Sequence, residues 1–435
     1  MQQGTAFSRR SFLTGASAAA ALGVLTLAGC TTPAPPGAGG PTSTGTRVGT
    51  INLYGNALGE DAQKQAWQTM VTNFQASSPG TTVKPVIYPY DQAATQLALM
   101  AKSGTLEGVG QAGPWQILTP FGVLADLTDL AAGLDIPQSI LDGYTINGQL
   151  LVMPQNAGGI GPVVNGDIAS SVGLTSGLTT DSFAAALEKI KAQDPSLIPY
   201  AAVTKNPDLK DIVPWMWGFG SQVVTDDLTC TIGDAESVAA VTWYKGLQDQ
   251  GLTSANIARA DARILFARGQ TAIYDDAPLA GTFVKTNGGA QNIIANISAI
   301  TRPTYQGKTS YNRTWGSGLF ATAGAGELTS RDLITSMITS LDSATALFTQ
   351  SALVPASKKI ADQIPAITQD AFQVQFRTAV TENTRAAAYD KIAVTAQIDT
   401  TIGAGVANIL AGQTDVQSGL NNLKGQVQKL LDDNK

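Results

Sequence analysis

From residue 48 onward, short runs rich in β-branched and aromatic residues alternate with longer runs whose apolar positions recur every three or four residues. That alternation restricts the chain to an open α/β architecture. Residues 48–54 (VGTINLY) read as a strand, and the next run places Trp67, Met70, Val71 and Phe74 on one helical face. Ser77-Ser78-Pro79-Gly80 stops that helix before a second strand, Thr82 to Tyr88. Asp91 is expected to cap a helix with Ala94, Leu97, Ala98 and Ala101 inward. The pattern resumes after Pro154. Thr180 precedes a helix with Phe183, Leu187 and Ile190 inward, and Asp234 caps one with Ala240, Trp243, Tyr244 and Leu247 inward, closed by Gly251. The last helix is amphipathic, with Val416, Leu420, Leu423, Val427, Leu430 and Leu431 on its apolar side.

Ahead of this alternation, residues 8–30 read SRRSFLTGASAAAALGVLTLAGC. The stretch from Gly15 to Gly29 carries no charge but is shorter than the roughly 20 residues that span a bilayer, so it is expected to be the hydrophobic region of a signal peptide. Ser8-Arg9-Arg10-Ser11-Phe12-Leu13 resembles the twin-arginine export motif, read by a translocase that carries folded proteins. Leu27-Ala28-Gly29-Cys30 resembles a bacterial lipobox, which implies removal of residues 1–29 and lipid attachment at Cys30. Residues 30–47 then form a lipidated tether, because TTPAPPGAGGPTSTGT has no side chain able to build a core. The alternative is a plain signal peptide with an incidental cysteine.

Composition narrows the chemistry. The chain of 435 residues is longer than a single core usually serves, so two lobes are expected. Its formal net charge is −6 and it has no basic tract, which argues against nucleic acid as a partner. Histidine is absent, which removes the commonest general base and the commonest metal ligand. Beyond Cys30 only Cys230 remains, so thiol-based metal or redox chemistry has no partners and no cofactor or metal is expected. Cys230, in the strand-like run Leu228-Thr229-Cys230-Thr231-Ile232, reads as a small buried residue. With 14% charged residues, solubility rests on Ser, Thr, Asn and Gln, a surface compatible with polyol ligands.

Several segments, in order, resemble the family 1 extracellular solute-binding proteins of ABC importers, which include maltose- and other oligosaccharide-binding proteins. They are Phe74-Gln75-Ala76-Ser77-Ser78-Pro79-Gly80 with Val83, Pro114-Trp115, Phe121-Gly122-Val123-Leu124-Ala125-Asp126-Leu127, and Asn147-Gly148-Gln149-Leu150 with Met153-Pro154 and Asn165. Trp217-Gly218-Phe219-Gly220, Trp243-Tyr244 and Phe266-Ala267-Arg268-Gly269-Gln270-Thr271-Ala272 continue the likeness. The resemblance implies a two-lobed periplasmic-binding-protein type II fold with ligand in the cleft. Its lobes are expected at 48–156 plus 306–350 and at 157–305 plus 351–435. Two departures stand out. Glu107-Gly108-Val109 replaces a common Pro-Asp-Val, and Tyr274-Asp275-Asp276-Ala277-Pro278-Leu279 replaces a stretch that often carries a stacking tryptophan.

A sugar presents apolar C–H faces and a rim of hydroxyls, so its site needs aromatic faces and polar edges. Trp67 and Trp243 lie on inward helical faces and read as core. Trp115 follows Gly113-Pro114 at a strand's end and is open between ligand stacking and lobe packing. Trp215 and Trp217 share one side of the segment if it is a strand, with one facing the cleft or both anchoring the second lobe. Trp315, beside Arg313 and between glycines, reads as a binding residue. Asn56, in a glycine-bracketed turn, and Asn156, at the lobe crossover, are polar candidates. Asp275 and Asp276 end a strand with side chains on opposite faces, so one of the two is expected at the ligand. Adjacent acids do not supply the two-sided carboxyl pair of a glycosidase, so no enzyme is expected. The expectation is a monomeric lipoprotein at the extracytoplasmic membrane face, capturing a mono- or oligosaccharide for an ABC permease. The alternative is a ligand sensor on the same fold.

Overall fold

Strand and helix alternate from Thr50 onward in the computed structural model, which describes residues 45–59, 61–111, 113 and 115–434. The export signal with Arg9 and Arg10, the lipidation candidate Cys30, most of the tether and Pro114 lie outside the described residues. Among the described residues, no helix is long and apolar enough to cross a membrane.

The strands are β1 (Thr50–Gly55), β2 (Thr82–Ile87), β3 (Val109–Gln111), β4 (Thr145–Ile146), β5 (Gln149–Leu150) and β6 (Met153–Asn165). They continue with β7 (Ile198–Ala201), β8 (Thr271–Asp276), β9 (Ile297–Ala299), β10 (Asn312–Ala321) and β11 (Thr384–Arg385). β4 and β5 form a small hairpin. The rest join in the order β2-β1-β3-β10-β6-β8-β7, with β11 on β10 and β9 on β6. β1 runs parallel to β2 and β3, whereas β10 is antiparallel to β3 and β6.

β6 organises the molecule. Its residues 153–160 pair with β10, and residues 161–164 pair with β8, so one strand passes from one half of the sheet to the other. All thirteen of its residues are buried, which fits a strand covered on both faces. The cores divide accordingly. Trp67, Met70, Phe74, Leu319 and Met337 pack together in the first half, with Trp115, Leu118 and Phe320 beside them. Phe183, Leu187, Trp215, Tyr244 and Leu420 form the main core of the second, with Phe266, Tyr274 and Phe376 on its other face.

Where β10 crosses β6, a β-bulge falls between Ser317 and Gly318. A Cβ at the neighbouring Gly316 would stand 2.3 Å from the main-chain oxygen of Asn156, so only glycine allows the two strands this approach.

Helix ends follow local chemistry with small shifts from expectation. Asp234 caps Ala235–Asp249 by accepting from the Ser237 amide at 2.7 Å. Thr179, one residue earlier than expected, caps Thr180–Gln193 in a reciprocal box with Ser182. The helix Tyr90–Ser103 starts directly after Pro89, so Asp91 falls inside its first turn and not at its cap. Trp215 and Trp217 are not on a strand. Ile212–Phe219 is a helix buried on every side, and a segment without a polar face leaves no periodicity to read.

Candidate functional site

A cavity of about 650 Å³ opens between the two core bodies, within the size range of small-molecule sites. Three groups of residues line it. Trp115, Gln116 and Tyr144 come from the first body, Arg313 and Trp315 from β10, and Asp208, Lys210, Asp211, Arg259, Asp390 and Asp399 from the second.

Local structure places the aromatic groups. Trp115 opens the 3-10 turn Trp115–Phe121 just past β3, where strands of an α/β sheet present their ends to ligands. Its ring centre lies 6.0 Å from that of Tyr144 at a tilt of 52°. Trp315 sits two residues beyond Arg313 on β10, on the same face by strand alternation. It is half-buried against the first core, and its partner on β6 is Gly158, which has no side chain to cover the ring.

The polar wall consists of ion pairs. Arg313 Nη1 donates to Asp399 Oδ1 at 2.7 Å while Nη2 pairs with Asp390 Oδ1, and the guanidinium carbon lies 5.4 Å from the Tyr389 ring centre. Tyr389 donates its hydroxyl to the same Asp399 oxygen at 3.0 Å. Burial alone would lower the Arg313 pKa, but Asp390 and then Asp399 hold it well above its ordinary value. Lys210 Nζ stands 3.6 Å from Asp399 Oδ2. Asp390 also accepts from the Ala387 amide at 2.7 Å, and its main-chain oxygen accepts from Gln116 Nε2 at 2.8 Å.

Arg259 begins the helix Arg259–Ala267, pairs with Asp211, and donates its main-chain amide to Asp208 Oδ2 at 3.0 Å. Burial opposes its charge, yet Asp211 and then Asp276 raise its pKa. Burial, reinforced by Asp390, raises the Tyr144 pKa, so that hydroxyl stays protonated. The site therefore offers the half-buried Trp315 indole, one phenol and a set of charged groups of which all but Asp208 stand in ion pairs, while Trp115 borders the cavity but is only 2% exposed and packs with Leu118 and Phe320. Such an arrangement suits polar solutes met by shape and hydrogen bonds, and among the described residues that line it no nucleophile is hydrogen-bonded to a base.

Of the residues singled out from sequence, Trp115, Arg313 and Trp315 line the cavity. The others lie elsewhere. Asn56 follows β1 and its main-chain oxygen closes the turn to Gly59. Asn156 is buried on β6, where its Oδ1 accepts from Ser317 Oγ at 2.6 Å across the bulge. Trp215 is core, with its ring centre 4.7 Å from that of Trp243 and 4.7 Å from the Arg302 guanidinium carbon. Trp217 is buried with the Arg385 guanidinium carbon 5.2 Å from its ring centre. Asp275 pairs with Arg302 at 2.7 Å and with the Tyr200 hydroxyl. Asp276 accepts from Arg263 Nε and Nη2 at 2.8 and 2.7 Å. The expectation that one of these two acids reaches the cavity is corrected, because both faces of β8 are covered and each acid is paired with an arginine, Asp275 with the buried Arg302 and Asp276 with the partly exposed Arg263.

Gln116, Tyr144, Asp208, Lys210, Asp211, Arg259, Asp390 and Asp399 were not anticipated. The one local signal was Asn206-Pro207-Asp208, a turn-forming run. Nothing in the neighbourhood of Asp390 or Asp399 announces that Arg313 will reach both.

Comparison with known proteins agrees with this architecture. Residues 69–374 match the family described as bacterial extracellular solute-binding protein. A binding protein of Brucella abortus (strain 2308) is 24% identical over 239 residues, covering 52% of this chain and 57% of that protein. The match thus spans little more than half the length of the curated relatives. Among solved structures, the sugar-binding protein MalE of Xanthomonas citri is 16% identical, with 88% of this chain and 98% of that chain covered and a TM-score of 0.77. The GacH receptor of Streptomyces glaucescens GLA.O, solved unliganded and with acarbose, is 20% identical, with 89% and 99% covered and a TM-score of 0.73. The cyclic alpha-maltosyl-1,6-maltose binding protein of Arthrobacter globiformis is 17% identical, with 89% and 99% covered and a TM-score of 0.72. At these identities the likeness is one of fold, the two-lobed α/β solute-binding fold.

Proposed function

We propose a role that starts from one fact: this chain belongs to the bacterial extracellular solute-binding protein family. It captures a mono- or oligosaccharide between two lobes and delivers it to an ABC permease. The observation that carries this reading is the cavity of about 650 Å³ in which Trp315 offers a ring, with Trp115 and Tyr144 behind it, and Arg313, Asp390 and Asp399 offer hydrogen-bonding edges. The sugar and oligosaccharide ligands named for the relatives of the same fold support it.

The proposed lobes are residues 48–156 with 306–350 and residues 157–305 with 351–435. The two strands β6 and β10 serve as the hinge. Solute binds first to one face of the cavity and closure brings the other face onto it, so contact with both lobes shifts the population toward the closed form. Indole faces cover the C–H surfaces of the sugar while carboxylates and guanidinium groups meet its hydroxyls. The chain performs no reaction; ATP hydrolysis belongs to the permease complex. Export through the twin-arginine route and a lipid on Cys30 would hold this receptor at the extracytoplasmic face of the membrane.

A thermal-shift screen against mono-, di- and oligosaccharides tests the reading. A rise in melting temperature with at least one carbohydrate is expected, and silence across the panel together with a response to amino acids or peptides would replace sugar with another solute.

A further inference from the structure

We propose that the cavity is a charge filter that admits neutral and ammonium-bearing sugars and refuses anionic ones, with Asp390 and Asp399 as the residues that set this specificity. The proposal rests on the carbohydrate reading above and deepens it. Three cations line the cavity, and each already faces a carboxylate. Arg313 is held on one side by Asp399 and on the other by Asp390. Arg259 pairs with Asp211, and Lys210 stands beside Asp399.

The carboxylates outnumber the cations. Asp208 takes the main-chain amide of Arg259 but forms no ion pair with a cation among the described residues. The cavity lining thus carries one carboxylate more than it has cations, and each guanidinium already stands in an ion pair. An incoming phosphate or carboxylate gains Arg313 only by displacing an aspartate, which then stays in the cavity beside it as a like charge without a partner. A hydroxyl needs no such exchange, since the paired carboxylates keep lone pairs free to accept from it. An ammonium group meets the surplus charge directly.

The converse also follows. Removing one charge from the pair around Arg313 leaves the guanidinium under-neutralised and open to an anion. Asp390→Asn keeps the side chain's size and an oxygen able to accept from the Ala387 amide, and Asp399→Asn does the same toward Tyr389.

Calorimetric titration of the full chain tests this with matched probes: trehalose against trehalose 6-phosphate, and glucose against glucosamine and glucuronate. The expected result is at least tenfold weaker binding of the anionic member in a pair whose neutral or ammonium member binds. That ratio should shrink at least fivefold in Asp390→Asn or Asp399→Asn variants whose circular dichroism is unchanged. Equal or tighter binding of the anionic probe by the wild type would overturn the filter while leaving the solute-binding reading intact. Discrimination unchanged in both variants would overturn the assignment to Asp390 and Asp399. If neither these sugars nor any carbohydrate of the thermal-shift panel binds, the carbohydrate reading fails, and the filter with it.

Discussion

Gln116 donates a 2.8 Å hydrogen bond from Nε2 to the main-chain oxygen of Asp390, which ties the residue beside Trp115 in the first body to the residue that holds Arg313 in the second. A contact of this kind exists only while the two bodies are close. Gln116→Ala should therefore favour the open form and weaken solute binding by about 2- to 10-fold, the worth of one hydrogen bond of roughly 0.5–1.5 kcal/mol. Small-angle scattering should show a larger radius of gyration without solute, and the melting temperature should change little. An unchanged radius and affinity would mean that the contact has no part in closure.

Arg313 carries a structural load as well as a binding edge. Arg313→Ala leaves Asp390 and Asp399 facing one another in a mostly buried site, a change that costs about 3–5 kcal/mol where a buried pair is broken from one side. Urea unfolding should show a loss of that order. Removing both acids' charge in the same background, with Asp390→Asn and Asp399→Asn, should recover part of it.

The six tryptophans of the chain should separate into two classes under substitution. Trp215→Ala opens a hole among Phe183, Tyr200, Trp243 and Tyr244, and should cost about 3–5 kcal/mol of stability. Trp315, half-buried on the cavity wall, should cost less in stability and more in binding. Chemical denaturation beside a binding assay distinguishes the two.

Alkaline pH should unfold the protein in a graded way. Burial pushes the Cys230 thiol up to about 11 from an ordinary 9.0, so the folded state retains a proton that the unfolded state releases first. Its contribution is fully present below pH 9 and is lost as pH rises through 11, amounting to roughly 3 kcal/mol at 1.36 kcal/mol per unit. The Tyr200, Tyr244 and Tyr274 hydroxyls, raised chiefly by burial, add further losses as pH rises above their ordinary value of 10.0. Cys230→Ala should lessen the decline in stability between pH 9 and 11, as measured by urea midpoints.

The fold was legible because its signals are local. Trp67, Met70 and Phe74 recur at helical spacing and all three are buried, and Asp234 caps the helix that follows it. The helix around Trp215 was not legible as a helix, since every residue from Ile212 to Phe219 is apolar or glycine and buried. The candidate site was legible only in its aromatic part. Trp115 and Trp315 stand out because they break helical periodicity, whereas the acids that surround Arg313 lie 77 and 86 residues away in the chain. Asp275 and Asp276 misled for the same reason in reverse. Their partners, Arg302 and Arg263, are 27 and 13 residues distant, and no pattern at the strand itself reports that the charges are already matched.

The most direct measurement is calorimetric titration of the best-binding carbohydrate from the thermal-shift screen into wild type, Trp315→Ala and Trp115→Ala. The account predicts at least tenfold weaker binding in Trp315→Ala, with a melting temperature close to wild type. Equal affinity in both variants and the wild type, with the fold intact, would contradict the claim that the solute sits between the two bodies against these rings.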